Sequence, residues 1–226
     1  MTTRRRQRAQ LRQEIVAAAR DILARDGYSG LSMRKVAEAV AYSPTAIYRH
    51  FEDTRALVSA VHAETFEKLL GDLSAEEADP KDPVLRFGDL MRRYVAFGIR
   101  HPQHYLATFV AISPDAAGAA TLDVSDGAQT REMLHAFSAA IQACIESGAF
   151  RSATPEVAAR STWAALHGVT ALLIQIPDFD WGDQKGVIES LIDTMIDGLR
   201  LRRRPARLSP RIPARPSRPI NPPIST

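Results

Sequence analysis

The sequence has little of several features that would place it outside the cell or in a membrane. Cys144 is the single cysteine in 226 residues, so no internal disulfide is expected and a reducing, cytoplasmic setting is favoured. The longest uncharged run, residues 161–177, has 17 residues with polar ones among them, too short and too polar for a membrane span. The basic N-terminus leads into a segment with acidic residues, which does not fit a signal peptide. We therefore expect no membrane partner.

Patterns that accompany catalysis and metal binding are also missing. The sequence has no His-x-x-x-His pair, cysteine cluster, glycine-rich phosphate loop or nucleophile elbow. His101 and His104 have a proline between them, and Glu132 with His135 is one pair where a di-iron bundle needs two. We expect no catalytic residue, no metal site, no cofactor and no enzymatic activity.

Charge is present in ordinary amount but is unevenly distributed. The net charge is +3, made up of +4 in residues 1–70, −9 in residues 71–198 and +8 in residues 199–226. A basic head on an acidic middle indicates that the head meets a polyanion such as nucleic acid. An uneven scatter of surface charge with no functional meaning explains the same numbers equally well.

Apolar residues recur at helical spacing throughout and strand signals are almost absent, which predicts an all-α fold. The predicted helices cover about residues 11–26, 33–40, 44–50, 53–69, 84–99, 103–112, 130–146, 155–176 and 184–201. Residues 74–83 are predicted to be a linker and residues 115–127 a mobile loop. Residues 205–226 contain seven prolines, four arginines and no acid, which is typical of disorder.

The predicted domains follow from these elements. Residues 1–10 form a basic N-terminal arm, and residues 11–71 form a helical head with a helix-turn-helix at about 32–51. A larger helical body covers residues 72–204, and the proline- and arginine-rich tail covers residues 205–226. The role of the tail stays open between a non-specific DNA contact, a solubilising segment and a contact with an anionic membrane, although the tail has no apolar face that would insert into a membrane.

The helix-turn-helix prediction rests on two short helices joined by the turn 41–43. Ser43 and Pro44 are a capping hydroxyl followed by proline at the first helical position. The helix that they open places Ile47 and Phe51 on one side, facing the core. A short helix of this kind fits the major groove of DNA, with its first turn against base edges.

The run from Ile15 to Leu57, which contains AARDILARDGYSGLSMRKVAEAVAYSPTAIYRHFEDTRAL, resembles the N-terminal domain of the TetR/AcrR family of transcriptional regulators. The segment SPTAIYRHF is its most specific part. The resemblance implies a homodimer with a three-helix DNA-binding head and a larger effector-binding and dimerisation body. It favours a repressor that binds a palindromic double-stranded operator and is released by a small, largely apolar effector. An activator, or an effector-independent DNA-binding protein of the same fold, is the alternative.

The resemblance also implies which residues contact DNA. Arg34, Thr45 and Ala46 would recognise bases, whereas Tyr48 and His50 would contact phosphates. The full predicted set is Arg34, Ser43, Pro44, Thr45, Ala46, Tyr48, Arg49, His50, Thr54 and Arg55.

Two positions depart from the family pattern. The family usually has glycine in the turn where this sequence has Ala41, so a positive φ there would cost about 1 kcal/mol or more. The family usually carries lysine, aimed at a phosphate, where this sequence has Thr54. Arg55 is the candidate to replace it.

The body also carries a resemblance, to a subgroup with a Trp-x-x-x-His-Gly signature, here Trp163, His167 and Gly168. An effector pocket is predicted from aromatic, histidine and methionine residues spread over four helices, although most of them fit a plain core equally well. The predicted effector-binding residues are Met91, Tyr94, Phe97, Tyr105, Phe109, Met133, Phe137, Trp163 and His167. The predicted dimer-interface residues, on the last two long helices, are Ala164, Gly168, Leu172, Ile188, Ile192 and Met195. An architectural DNA binder without effector is disfavoured, because the acidic body adds nothing to duplex wrapping.

Overall fold

The computed structural model describes residues 3–74, 81–110 and 128–200, with side chains from Arg5 onward. These ranges form nine α-helices and one π-helical turn, the latter at Leu106–Val110. The helices are α1 (Thr3–Gly30), α2 (Met33–Ala39), α3 (Pro44–Tyr48), α4 (Thr54–Ser74), α5 (Pro83–Arg100), α6 (Pro102–Tyr105), α7 (Ala128–Glu146), α8 (Pro155–Gln175) and α9 (Gln184–Leu199). The all-α prediction is therefore confirmed. The predicted loop at 115–127 and the tail at 205–226 lie outside the described residues.

Helix α1 begins earlier than predicted. The predicted arm at residues 1–10 is helical from Thr3 and continuous with the rest of α1. Its arginines, glutamines and alanines are good helix formers, and Gln10 Nε2 donates to Glu14 Oε1 at 3.0 Å, one turn later. At the other end Gly27, with φ 69° and ψ −174°, interrupts the helical backbone, where the sequence predicts the helix to stop.

The head has a core of its own, contributed by α1 to α4. Ile15, Ala19, Val36 and Ile47 are completely buried there. These residues recur at helical spacing in the sequence, so each short helix presents one apolar face to the same interior. Helix α3 packs against α2, which in turn packs against α1, and Ile47 anchors α3 in the core that they share.

The turn between α2 and α3 is closed by two backbone hydrogen bonds. Tyr42 N donates to Ala37 O at 2.9 Å, and Ala41 N donates to Glu38 O at 3.2 Å. This is the Schellman pattern, whose C′ residue adopts a left-handed conformation. Ala41 occupies that position with φ 57°. The turn therefore demands the conformation for which the family uses glycine.

Helix α4 connects the head to the body. Leu57, Val58 and Val61 on its first half lie in the head core, whereas Phe66 and Leu69 on its second half lie in the body core. The helix also continues to Ser74. The predicted domain boundary at residues 71–72 and the predicted start of the linker at residue 74 therefore do not separate the two cores, because α4 contributes to both.

The body is built around α5, α7 and α8, with α9 packed on α5. Phe87, Met91, Phe137, Ile141 and Leu166 are completely buried at its centre. Helix α8 is the helix among the described residues that is long and apolar enough to cross a membrane, with a mean hydropathy of 1.2 over its most apolar stretch. This helix packs against α5 and α7, and 39% of that stretch is buried.

The segment predicted as one helix over residues 103–112 has two parts. Helix α6 ends at Tyr105, and the π-turn continues to Val110. Ala107 in this turn lies in the head core, while Tyr105 and Phe109 lie in the body core. The segment therefore packs on both units at once.

Candidate DNA interface and effector site

Helix α3 presents a polar outer face because its ends are fixed locally. Ser43 is its N-cap, with its Oγ accepting from Ala46 N at 3.3 Å, and Pro44 opens the helix. Ile47 is completely buried in the head core. The remaining side chains of this short helix therefore turn away from the core.

The predicted DNA-contact residues share this outward surface. Three of them are half-buried, namely Ala46, His50 and Thr54. The others are exposed, namely Arg34, Ser43, Pro44, Thr45, Tyr48, Arg49 and Arg55. Arg34 Nε lies 3.3 Å from Glu38 Oε1, but both side chains are mostly exposed. An exposed pair of this kind is worth at most about 0.5 kcal/mol, so it leaves Arg34 available.

The first turns of α1 lie beside the end of α3, which the sequence did not predict. The guanidinium carbon of Arg12 lies 4.9 Å from the centre of the Phe51 ring, in cation–π contact. The pKa of His50 is lowered, first by burial and then by the positive charges of Arg8 and Arg12. The signal in the sequence was the run of arginines, which was interpreted as a separate arm.

In the body, the predicted effector residues come together in one core. Seven of the nine have at most 9% exposure, and Trp163 and His167 are half-buried against the same cluster. Tyr94, Tyr105, Trp163 and His167 are joined by hydrogen bonds. Trp163 Nε1 donates to Tyr94 Oη at 2.9 Å, the two tyrosine hydroxyls are 3.2 Å apart, and Tyr105 Oη lies 2.7 Å from His167 Nδ1.

The direction of the first bond in this chain is fixed, because an indole can only donate, so Tyr94 Oη accepts from Trp163 Nε1. A hydroxyl has one proton and two lone pairs, so either tyrosine can be the donor in the bond between Tyr94 and Tyr105. Tyr105 Oη bonds to His167 Nδ1 and also lies 3.4 Å from His167 O, which can only accept. Burial raises the pKa of Tyr94 to about 12, raises that of Tyr105, and lowers that of His167. The network is therefore uncharged near neutral pH.

One residue before Tyr105, His104 makes a second network with the head. The guanidinium of Arg20 has no acceptor, so its Nη1 donates to His104 Nε2 at 3.2 Å. His104 Nδ1 then donates to Thr65 Oγ1 at 3.3 Å, and Thr65 donates to Val61 O at 3.1 Å. The pKa of His104 is lowered to about 4, chiefly by burial and next by Arg20.

Sequence analysis missed this joint between head and body. Its members lie on α1, α4 and α6, and Arg20 and His104 are 84 positions apart. Arg20 Nη1 also lies 3.3 Å from Glu64 Oε1. Adjacent residues of α6 thus bond to different units, His104 to the head and Tyr105 to the body.

Comparison with known protein families assigns this chain to a family. Residues 15–61 match the family described as bacterial regulatory proteins, tetR family, and residues 87–199, half of the chain, match the tetracyclin repressor-like C-terminal domain. The chain belongs to the TetR family. It is therefore a transcription regulator with an N-terminal helix-turn-helix DNA-binding domain and a C-terminal ligand-binding domain.

Solved structures show the same TetR-type fold. A protein of unknown function from Rhodococcus sp. RHA1 has a TM-score of 0.67 at 26% identity, covering 84% of this chain and 96% of its own. A regulatory protein of the TetR family from Rhodococcus RHA1 has a TM-score of 0.68 at 19% identity, covering 83% and 96%. A third, described as the molecular basis for control of antibiotic production by bacterial hormones, has a TM-score of 0.67 at 25% identity, covering 85% and 98%. A search of curated proteins gave no match.

The Trp-x-x-x-His-Gly segment of this TetR-family chain has a definite place in the structure. Trp163 and His167 lie one turn apart on α8, and their side chains are the two ends of the buried hydrogen-bonded chain. A spacing of four residues places both on one helix face. The signature therefore marks the positions from which α8 bonds to α5 and α6.

The predicted dimer residues of α8 and α9 are placed differently from one another. Ala164 and Leu172 are exposed, and a methyl group added at Gly168 would meet nothing within 4 Å. Ile188 and Met195 are half-buried at the edge of the body core. Ile192 is 0% exposed within its own chain, so it packs in the core of that chain and presents no surface to a partner in this structure. The apolar stripe of α9 is wide enough to serve the core of its own chain, and Ile192 lies on that side.

Proposed function

We propose that the protein is a repressor that binds a near-palindromic operator as a homodimer and is released by a small, largely apolar effector. The observation that carries the proposal is the position of α6. His104 bonds to α1 and α4 of the DNA-binding head, and its neighbour Tyr105 bonds to the effector-site network. A cytoplasmic location, where the operator is accessible, accompanies this function.

The DNA side of the proposal rests on α3. Its exposed polar face and its buried Ile47 fit a helix that enters the major groove, with phosphate contacts from Tyr48 and His50 at its far end. Arg34 on α2 and Thr45 on α3 are the proposed base-contacting residues, with Ser43, Pro44, Ala46, Arg49, Thr54 and Arg55 completing the contact surface.

The dimer side rests on the outer face of α8 and the residues that follow it. Val157 is 58% exposed and Ile176 46% exposed, on either side of exposed Ala164 and half-buried Gly168. An apolar face with small residues at its middle allows a second helix to approach closely. A two-fold axis through this face would pair the same residues of two chains. The proposed interface keeps Ala164, Gly168, Leu172, Ile188 and Met195.

The effector side rests on the uncharged network. Its members and the surrounding Met91, Phe97, Phe109, Met133 and Phe137 offer apolar area with few polar groups, which suits a neutral ligand that carries a hydrogen-bonding group. A ligand that took the place of His167 as the hydrogen-bond partner of Tyr105 would move α6, and with it the contacts of His104. The 25% identical structure concerned with bacterial hormones favours a small signalling molecule as effector.

The decisive experiment uses the purified protein to select the DNA duplexes that it binds from a pool of random sequences, and then reads their consensus. We expect a two-fold symmetric consensus with half-sites about 34 Å apart, or a small multiple of that. Arg34→Ala should weaken binding to the consensus more than to random DNA, whereas Tyr48→Phe should weaken both alike. An absent or asymmetric consensus would overturn the operator proposal.

The effector proposal has its own test. Neutral hydrophobic compounds are screened for thermal stabilisation, and each hit is titrated against the protein–operator complex. Linkage requires DNA and ligand to weaken one another by the same factor, about 5- to 150-fold for typical coupling. Hits that stabilise the protein but leave operator affinity unchanged favour the alternative, an effector-independent regulator. Hits that strengthen operator binding contradict release as the mechanism.

A further inference from the structure

A cleft of about 790 Å³ lies between the first turns of α1 and the helix-turn-helix. Its lining is Gln7, Arg8, Gln10, Leu11 and Glu14 from α1, Tyr42 from the turn, and Arg49 and His50 at the end of α3. Arg49 and His50 belong to the proposed DNA-contact surface, whereas the α1 side and Tyr42 do not. The cleft therefore extends that surface beyond the recognition helix.

The side chains of this cleft are suited to an anion. Within the described residues Arg8 and Arg49 form no ion pair, in contrast to Arg20 and Arg25, which pair with carboxylates. The one acid of the lining, Glu14, accepts a hydrogen bond from Gln10. The lining therefore carries two arginines and one acid, and guanidinium groups bind phosphate oxygens in a bidentate manner.

The α1 wall of the cleft is held in place by packing. Leu11 packs against the head core, and the Arg12 guanidinium lies over Phe51, three residues after the end of α3. Arg8 is one turn earlier on the same helix. Because the helix is fixed at this point, little ordering is needed for Arg8 to meet a ligand. The pKa of His50 is lowered first by burial and then by the positive charges of Arg8 and Arg12, which lie close enough to act on the same ring.

We propose that this cleft binds a phosphate of the DNA backbone flanking each half-site, held between Arg8 of α1 and Arg49, the residue directly after α3, with the hydroxyl of the exposed Tyr42 as a further donor. The proposal rests on the proposed function, since it places the cleft beside a duplex held by α3. A phosphate contact adds affinity without sequence preference. Helix α1 is thus a second DNA-binding element and not only a support for α3.

Arg6→Ala is the matched control for Arg8→Ala. Both remove one positive charge from the first turns of α1, but Arg6 lies about 200° around the helix from Arg8 and does not line the cleft. For Arg8→Ala we expect the slope of log affinity against log salt to become shallower by about 1, equally on selected and on random duplexes. For Arg6→Ala we expect a clearly smaller change. Equal changes for the two variants would show that Arg8 acts only through its contribution to the net charge, and would overturn the proposed phosphate site.

A neutral methylphosphonate, placed at one backbone position at a time, locates the contact. At one flanking position it should weaken binding of the wild-type protein about tenfold, and should weaken Arg8→Ala far less. Tyr42→Phe should reduce the effect at that same position only. Additive losses at every position would exclude contact between Arg8 and a phosphate.

The two proposals fail in distinguishable ways. Because a phosphate contact does not depend on sequence, the Arg8→Ala and Arg6→Ala slopes are measurable on a random duplex even if selection gives no consensus. No consensus with an Arg8-specific slope would reject the operator proposal and keep the cleft. A symmetric consensus with equal changes of slope for Arg8→Ala and Arg6→Ala would keep the operator proposal and reject the phosphate site in the cleft.

Discussion

Ala41→Gly tests whether the turn of the helix-turn-helix carries backbone strain. The Schellman turn holds Ala41 at φ 57°, a left-handed conformation that costs an L-residue about 1–2 kcal/mol and glycine nothing. Glycine gains about 0.4–1 kcal/mol more conformational freedom in the unfolded chain, which opposes the gain. Ala41 is exposed, so its methyl group contributes no packing that would be lost. The substitution should therefore raise the free energy of unfolding by about 0.5–1 kcal/mol.

Ala39→Gly is the matched control, two residues away. Ala39 is also exposed but is the last residue of α2, with helical backbone, so glycine there should lower the free energy of unfolding by up to about 1 kcal/mol. The same chemical change is thus expected to act with opposite sign at the two positions. Thermal unfolding followed by far-ultraviolet circular dichroism should move the midpoint by about 2–4 °C per kcal/mol. Destabilisation by both variants would show that the turn is not strained at Ala41.

Three further predictions concern the body and its joint with the head. The pKa values of His62 and His104 are lowered to about 4, chiefly by burial, so the unfolded chain binds more protons than the folded chain between about pH 6.5 and 4. The free energy of unfolding, measured by denaturant titration at each pH, should therefore fall as the pH is lowered through that range, and it should fall less steeply in His104→Gln. Gly168→Ala should weaken the dimer in sedimentation measurements if α8 is the interface, whereas Gly71→Ala, at another helical glycine with open space around it, should leave the dimer unchanged. Ala164→Asp should give folded monomers, while Ile192→Asp, which buries an unpaired charge, should lose circular dichroism at lower temperature; a stable dimer of Ala164→Asp would reject this interface.

Much of the head was accessible from sequence because its signals are local. Ser43 followed by Pro44 predicted the start of α3, Gly27 predicted the interruption of α1, and the spacing of apolar residues gave the buried faces. The strain at Ala41 was also predictable, since the turn required a left-handed residue at a position without glycine. Each of these features depends on a few neighbouring residues, which a sequence displays directly.

What the sequence did not show depends on contacts between distant elements. The bond from Arg20 to His104 joins positions far apart in the chain, and no local pattern marks either residue. Ile192 was assigned to the dimer because a wide apolar stripe does not tell which part faces the core of its own chain. The arginines near the N-terminus suggested a separate arm, although their helix propensity favoured the continuation of α1. The π-turn after α6 had no sequence signal that we could identify.

The division of α4 between two cores has a consequence for the exchange of domains among regulators. Cutting the chain after the head at residue 71 would carry Phe66 and Leu69 away from the body core that buries them completely or nearly so. The excised head would expose this apolar surface, and the remaining body would be left with a cavity where the two side chains had packed. A functional chimera should therefore join two proteins inside α4, between Val61 and Phe66, where the helix passes from one core to the other. His62 and Thr65 lie at that junction and contact Ala107 and His104, so the parent that supplies α6 and the π-helical turn must also supply His62 and Thr65.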